Sequence, residues 1–312
     1  MTADHVFHAW LRAGHDVAGV WTQDVKGMRT RTSGRIAAYA DGIRPIGDHI
    51  RRRKIPVSKV RRMRDVPDVA DRVAATGANT LISVYTGLIV PQEVIDLFGR
   101  RAVNFHPALL PHYKGPTPRV GMVFDGRGDE FGGMTMHAIS AGIDEGPIIA
   151  QRRLPWTESG HFTTWEIAQS RVAAGFVQHE LQNYLDGRLQ SVPQEPGSGS
   201  YRRRNSYEFA VSEKTPLAAV RKYFDCVPGY EFFTRLDRPG KRSQFLTTGL
   251  ASVLGAPTGK PPVVGRFVIE MDILDARVRL YRRNLAQRAS NHPAWRLLVS
   301  RLSNSGSVNS TG

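Results

Sequence analysis

The first half of the chain alternates helical and strand-like patterns, and this alternation restricts the possible folds more than any other feature of the sequence. Residues 6–13 predict a helix that ends at Gly14, and the apolar run 17–21 predicts a strand. The same order then recurs, with a predicted helix at 65–76, a buried strand at 80–85, a helix at 92–98 and a strand at 102–105. Strands that alternate with helices favour a parallel sheet covered on both faces.

The order of these elements at the start of the chain is unusual. The first helix begins within a few residues of Met1 and no strand comes before it, although doubly wound sheets generally open with a strand. The predicted fold is therefore a doubly wound, mainly parallel α/β sheet without its first strand, either because the start site is misassigned or because the fold has lost this strand.

A change of composition marks a domain boundary. Residues 191–200 are rich in Pro, Gly and Ser and are predicted to be a linker. It would separate a catalytic domain, 1–190, which ends in a long helix at 162–185, from a smaller β-rich domain, 201–302. In the second domain the pattern predicts a helix at 216–224 and strands at 230–234, 266–271 and 277–281, followed by a disordered tail at 303–312.

The apolar residues are spread along the chain, with no run long enough for a membrane span or a secretion signal. This distribution predicts a cytoplasmic protein. The only cysteine, Cys226, cannot form an internal disulfide.

The chain is strongly basic, with 43 Lys+Arg against 28 Asp+Glu and a formal net charge of +15. Two short basic clusters stand out, one with Arg51, Arg52 and Arg53 and one with Arg61 and Arg62. Such clusters suit contacts with phosphates, for example those of a tRNA, but a solvated basic surface is an equal interpretation.

Polar side chains are concentrated where predicted strands end. Asn104 and His106 alternate with apolar residues, so they project from the same side of their strand. Asp144 lies between Gly142 and Gly146 in a predicted loop that follows the strand 132–139 and leads to another strand. Because ligands sit outside the carboxyl ends of such strands, these side chains are candidates for one site.

Amide, imidazole and carboxylate groups suit the transfer of an acyl group between two nitrogens. An amide N–H can stabilise the oxyanion of a tetrahedral intermediate, and an imidazole and a carboxylate can move protons near neutral pH. Each residue alone also has an ordinary structural interpretation as a cap or a turn former. His112, Tyr113 and His137 are further candidates, and His137 fits a packed strand residue as well as a substrate contact.

The spacing of these residues resembles that of the folate-dependent formyltransferases, whose pattern is Asn-x-His-x-x-Leu-Leu-Pro followed some forty residues later by Asp-x-Gly-x-Ile. The matching residues are Asn104, His106, Leu109, Leu110, Pro111, Asp144, Gly146 and Ile148. The resemblance covers roughly residues 10–190. It implies 10-formyltetrahydrofolate as the co-substrate, Asn104, His106 and Asp144 as catalytic residues, and no metal.

The resemblance also implies a folate pocket. The segment 84–90 resembles the family's loop that holds the pterin, so the expected cofactor-binding residues are Gly87, Leu88, Ile89, Val90, Gly142 and Ile143.

The acceptor of the formyl group is left open by these residues. The two-part layout resembles that of the family members that act on methionyl-tRNA, which makes this the leading acceptor; a small amine, such as an amino-sugar nucleotide or a hydroxyornithine-like precursor, is the alternative. A third interpretation is an inactive relative that binds folate or nucleic acid.

Overall fold

The computed structural model describes residues 1–23, 38–84, 86–159, 162–201, 211–226, 232–238, 241–247 and 249–282, of which 159, 225, 226, 232–238 and 241–246 are described by their backbone only. The predicted tail at 303–312 lies outside these residues. In the part of the chain that the structure describes, no helix is long and apolar enough to cross a membrane.

Parallel and antiparallel strands share the first part of the chain. The strands are β1 (Val20–Thr22), β2 (Val57–Lys59), β3 (Leu81–Val84), β4 (Ala102–His106), β5 (Gly133–Ala138) and β6 (Ile148–Arg153). Strands β1 and β2 pair in parallel, and a second sheet has the order β3-β4-β5-β6. In that sheet β3 and β4 are parallel, whereas β5 and β6 are antiparallel to their neighbours. The predicted α/β fold is confirmed, with its parallel pairs at β1–β2 and β3–β4.

Helices cover these sheets. The helices of the first part are α1 (Thr2–Arg12), α2 (Ile46–Arg53), α3 (Val69–Ala74), α4 (Gln92–Phe98), α5 (Pro118–Phe124), α6 (Gly128–Phe131), α7 (Trp156–Ser159), α8 (Phe162–Phe176) and α9 (Gln182–Leu185). A π-helical turn, Val177–Leu181, joins α8 to α9. Helix α1 packs on α8, and both contribute to a core with β4 and β5. Helix α1 is the first element of the described residues, and β1 follows it.

Most predicted elements are present, and one helix is much shorter than predicted. Helix α4 has the predicted bounds. The predicted helix at 65–76 is limited to α3, preceded by a 3-10 turn at Met63–Asp65. Pro67 explains the difference, because a proline keeps the preceding residue out of the helical region, and Val66 has a ψ of 118°. Strand β1 is also shorter and starts later than the predicted 17–21, because only its residues pair with β2.

A second, antiparallel region follows. It contains α10 (Leu217–Cys226) and the strands β7 (Phe232–Arg238), β8 (Lys241–Thr247), β9 (Gly249–Gly255), β10 (Val263–Val264), β11 (Val268–Asp272) and β12 (Arg277–Tyr281). Strands β7 and β8 form a hairpin, and the others form a sheet with the order β10-β11-β12-β9. Three strands, β8, β9 and β10, were not predicted, because their sequences lack a regular alternation.

The two regions share a hydrophobic core. Met122 of α5 and Trp165 of α8 pack in one cluster with Val220 of α10 and with Ile269 and Leu280 of the second sheet. These five side chains are buried to at least 95%. The second region is therefore anchored on the helices beside the first sheet, and the domain division at 191–200 stays a prediction.

A pair of histidines links α1 to α2. The Nδ1 atom of His8 lies 3.2 Å from Nε2 of His49 and also accepts the Arg44 backbone N–H. Burial, together with the nearby His8, Arg44 and Arg53, lowers the pKa of His49 from 6.5 to about 4. Helices α1 and α2 therefore pack against each other through an uncharged ring.

We expect acid to destabilise the fold partly through His49. Between pH 6.5 and about pH 4 the unfolded chain binds a proton that the folded chain does not bind, so the free energy of unfolding falls as the pH falls through this window. The His49→Gln variant should lose less thermal stability than the parent between pH 7 and pH 4.5. The exposed His179→Gln variant is the control, and equal slopes of Tm against pH for all three proteins would refute the assignment.

Candidate active site

Strand β4 places two of the predicted site residues on one face. Asn104 and His106 are two positions apart, and both reach the carboxylate of Asp144. In the antiparallel pairing of β4 with β5, His137 lies directly opposite Asn104. Two imidazoles, an amide and a carboxylate therefore meet at the carboxyl end of β4.

Asp144 is held in an uncommon backbone conformation. Its φ is 54°, the left-handed region that L side chains rarely adopt. In this conformation the carboxylate is 12% exposed and accepts hydrogen bonds from the Asn104 amide at 3.2 Å and the Gly115 backbone N–H at 2.9 Å. The bend at 142–146 therefore directs a buried carboxylate at the end of β4.

The tautomer of His106 follows from its neighbours. Its Nε2 lies 2.9 Å from the carbonyl oxygen of Tyr113, which can only accept, so Nε2 carries a hydrogen. A neutral His106 therefore has its lone pair on Nδ1, 3.4 Å from Oδ2 of Asp144. This nitrogen is placed to take up a proton beside the carboxylate.

In His137 the donor and acceptor nitrogens are the reverse of those in His106. Its Nδ1 lies 2.8 Å from the carbonyl oxygen of Ala138, so Nδ1 donates, and the Nε2 of the neutral ring accepts from the Asn104 amide at 3.0 Å. The amide of Asn104 thus donates to both His137 and Asp144. The flipped amide would turn its oxygen toward the carboxylate of Asp144, which supports this orientation.

Burial and charge act against each other in this cluster. Burial lowers the pKa of His106, while the charge of Asp144 acts in the opposite direction. For Asp144, burial would raise the pKa, but His106, His137 and the Gly115 N–H outweigh it and hold the pKa below its usual value. We assign an ionised carboxylate, because Asn104 and Gly115 donate to it whatever the charge of either ring. The cluster then holds a carboxylate beside an uncharged imidazole, a pair that can accept one proton.

The loop predicted to hold the pterin follows β3. Leu88 is buried, its backbone N–H donates to the Thr86 hydroxyl at 3.0 Å, and the neighbouring Ile89 is 68% exposed. Tyr85, within the predicted loop, lies outside the described residues. Leu88 and Val90 pack in one cluster with Ile139, which leads into the Asp144 bend. The predicted folate residues thus form two adjoining loops: Gly87, Leu88, Ile89 and Val90 in one, Gly142 and Ile143 in the other.

The two basic clusters lie at opposite ends of the parallel strands β1 and β2. We call the end where the strands begin the amino edge and the end where they finish the carboxyl edge. Arg53 precedes β2 and lies 3.3 Å from the carboxylate of Asp16, which precedes β1. Arg61 follows β2, and its carbonyl oxygen accepts the side-chain amide of Gln23, which also approaches Gly87. The cluster with Arg61 and Arg62 therefore adjoins the predicted folate loop at the carboxyl edge. The cluster with Arg51, Arg52 and Arg53 is at the amino edge.

The remaining candidates differ in their surroundings. The ring of His112 packs on that of Phe131 with a centroid separation of 4.2 Å, and the Tyr113 hydroxyl donates to Asp125. Tyr113 contributes to the site through its carbonyl oxygen, and Gly115 through its N–H. The sequence does not reveal these two backbone groups, because they depend on the path of the turn at 110–115, where the bond between Leu110 and Pro111 is cis. Within the described residues no group of side chains has the arrangement of a metal site.

Comparisons with known proteins match the part of the chain that carries this cluster. Residues 48–172 match the family model described as "Formyl transferase". The methionyl-tRNA formyltransferase of Listeria monocytogenes is 27% identical over 154 residues, 49% of this chain and 48% of the relative. That of Chloroflexus aurantiacus is 29% identical over 195 residues, 62% of this chain and 59% of the relative. The chain thus matches about half the length of the first of these relatives.

Two solved structures resemble the overall fold. WlaRD, described as a sugar 3N-formyl transferase, is 14% identical with a TM-score of 0.53, covering 90% of this chain and 93% of WlaRD. A sugar N-formyltransferase from Shewanella sp. is 15% identical with a TM-score of 0.51, covering 74% of this chain and 96% of that protein. At these identities the likeness shows a common fold.

The coupling between His106 and Asp144 is open to direct measurement. The Asp144→Asn variant should lower the pKa of His106 further, because the carboxylate charge that favours the imidazolium is removed while the burial remains. A titration of the ring carbon resonances by NMR, assigned with a His106→Gln variant, gives this pKa.

The matched control is Glu145→Gln, which removes a neighbouring carboxylate that is 57% exposed and faces Lys114. It should leave the pKa of His106 unchanged. A pKa that rises or stays constant in Asp144→Asn would contradict the coupling.

Proposed function

We propose that the chain, whose residues 48–172 match the formyl transferase family, transfers a formyl group from 10-formyltetrahydrofolate to a primary amine. The observation that carries this proposal is the convergence of Asn104 and His106 on the buried carboxylate of Asp144. These are the groups that a transfer between two nitrogens requires. An oxyanion needs a donor, and the proton of the attacking amine needs an acceptor.

In the proposed reaction the amine nitrogen attacks the formyl carbon, and the carbonyl electron pair moves to oxygen. Asn104 turns one of its N–H bonds from His137 or Asp144 to this oxyanion, a contact often worth about 3 kcal/mol. Nδ1 of His106 takes the proton that the attacking nitrogen loses, and Asp144 stabilises the resulting imidazolium. The same proton passes to N10 as the bond from the formyl carbon to N10 breaks, so the products are a formamide and tetrahydrofolate.

The adjoining loops at 87–90 and 142–143 are the proposed folate site. Ile89 is 68% exposed and Ile143 is 43% exposed, so each presents an apolar side chain that a flat aromatic ring would cover. Leu88 is buried and anchors the first loop in a hydrophobic cluster with Val90 and Ile139. In this proposal the backbone groups of Gly87 and Val90 contact the polar edge of the ring.

We propose methionyl-tRNA as the first acceptor to test, with an amino-sugar nucleotide or a hydroxyornithine-like amine as the alternative. The net charge of +15 and the exposed side chains of Arg61 and Arg62 beside the folate loop support an acceptor that carries phosphates. The division into a catalytic domain, 1–190, and a β-rich acceptor-binding domain, 201–302, joined by 191–200, belongs to the same proposal. Trp165 of the first region and Ile269 of the second pack in one hydrophobic core. This contact supports an acceptor-binding region held beside the catalytic one.

The activity is tested by incubating the protein with 10-formyltetrahydrofolate and each amine while the absorbance of released tetrahydrofolate is followed. We expect turnover with one acceptor, and a kcat lowered about 100-fold in Asn104→Ala, because one oxyanion donor is lost. The exposed Asn183→Ala variant is the control and should keep the parent rate.

A folded protein that binds folate but transfers the formyl group to none of the amines would contradict the proposed enzyme. That result would favour an inactive folate-binding relative. Equal rates for Asn104→Ala and the parent would remove Asn104 from the mechanism.

The position of the acceptor is tested with matched pairs of charge substitutions. Arg61→Gln with Arg62→Gln should raise the KM for methionyl-tRNA about tenfold at low salt and weaken its salt dependence, because phosphate contacts at the carboxyl edge are lost. Arg51→Gln with Arg52→Gln removes the same charge at the amino edge and should change KM much less. Equal effects of both pairs would show that only the net charge of the protein matters.

A further inference from the structure

The segment 192–201, which consists of most of the predicted linker 191–200 and the first residue after it, lies across both loops of the candidate site; we call it the strap. Val192 forms a bridge with Ile148, just after the Asp144 bend, and Tyr201 forms a bridge with Lys114. Between these two points the side chains of Gln194, Ser198 and Ser200 are half-buried. The strap is therefore fixed at both ends to the loops that carry the site.

Both loops contain a residue in the left-handed region. Among the described non-glycine residues near the site, Asp144 has a φ of 54° and Tyr113 a φ of 57°. Such conformations persist where the surroundings hold them, and they cluster at functional sites. The carboxylate of Asp144 and the carbonyl oxygen of Tyr113 both face His106.

Gln194 holds the first of these loops. Its side-chain amide nitrogen donates to the carbonyl oxygens of Asp144 at 3.0 Å and Gly146 at 2.7 Å. The amide cannot be flipped, since its oxygen would then face two carbonyl oxygens. Both hydrogens of one side chain thus fix the bend that sets the direction of the Asp144 carboxylate.

Ser200 holds the second loop. Its hydroxyl oxygen accepts the Tyr113 backbone N–H at 2.9 Å, and its carbonyl oxygen accepts the Lys114 N–H at 2.8 Å. The buried ammonium of Lys114 also donates to the Ser198 carbonyl at 3.1 Å. Tyr113 is thereby fixed on one side by Ser200, while its carbonyl accepts from His106 on the other.

Gly199 lets the strap approach this closely. Its φ is +80°, and a Cβ atom there would lie 1.9 Å from the carbonyl oxygen of Pro111. Any side chain would push the strap away from the turn at 110–115. The glycine that suggests flexibility in the sequence is required here by a close contact.

We propose that the strap is a positioning element of the active site, in which Gln194 sets the Asp144 carboxylate and Ser200 sets the Tyr113 carbonyl that orients His106. The proposal rests on the proposed formyl transfer for its catalytic meaning. Gln194 and Ser200 are positioning residues, because they act through Asp144 and Tyr113 rather than on the substrate.

The structural half of the proposal is tested without any turnover, by hydrogen–deuterium exchange of the whole protein. Gln194→Met, which keeps the length of the side chain but loses both donors, should speed exchange in peptides that cover 140–148. Ser200→Ala should speed exchange in peptides that cover 110–116. The control Gln190→Met removes a similar hydrogen bond to the carbonyl of Gly187, outside the site, and should alter neither peptide.

The catalytic half is tested with the acceptor that the wild-type protein uses. Gln194→Met should lower kcat roughly 10- to 100-fold through the misplaced carboxylate. It should raise the KM for folate by a smaller factor, because Gly142 and Ile143 of the proposed folate site lie on the same bend. The acidic limb of kcat should move to lower pH, since a displaced Asp144 raises the pKa of the proton acceptor His106 less. Gln194→Glu should be slower still, as its carboxylate would face two carbonyl oxygens.

The outcomes separate this proposal from the proposed function. If the wild-type protein transfers no formyl group, the proposed function fails and the exchange experiment still decides whether the strap holds the loops. If it is active, unchanged exchange or an unchanged kcat and pH profile in Gln194→Met overturns the positioning role.

Discussion

The site depends on one buried carboxylate that stays charged. An ionised carboxylate without partners is costly to bury, and Asp144 is nearly enclosed between the imidazoles of His106 and His137. Burial lowers the pKa of His106, so this ring is a poor source of positive charge. The charge is instead supported by the Asn104 amide and the Gly115 N–H. Because these donors come from β4 and from the turn at 110–115, the charge can be kept only where both approach the Asp144 bend.

This requirement connects the site to the rest of the fold. The antiparallel pairing of β4 with β5 brings His137 opposite Asn104, and the parallel pairing of β3 with β4 brings the predicted folate loop to the same edge. The strap then ties the two polar loops together from outside the sheet. Local backbone conformations that are unfavourable in isolation, at Tyr113 and Asp144, are in this way held by contacts with residues distant in sequence.

Much of this arrangement is predictable from the sequence, because its signals are local. The alternation of polar and apolar residues places Asn104 and His106 on one face, and helix α4 has the predicted bounds. The partners of these residues are not local. His137 joins the site through the register of two antiparallel strands, and Tyr113 and Gly115 join it through backbone groups. The strap has the composition of a linker, and its contacts depend on the folded positions of the two loops that it crosses.

The central claim is that Asp144 and His106 together carry the proton of a formyl transfer, and the most direct measurement is the rate of label transfer from 10-[14C]formyltetrahydrofolate at saturating acceptor. The account predicts that Asp144→Asn folds like the parent, binds folate, and transfers label at least about 100-fold more slowly, because the imidazolium loses its counter-charge. A rate within severalfold of the parent, in a variant of equal stability, would contradict the account and leave Asp144 a structural residue.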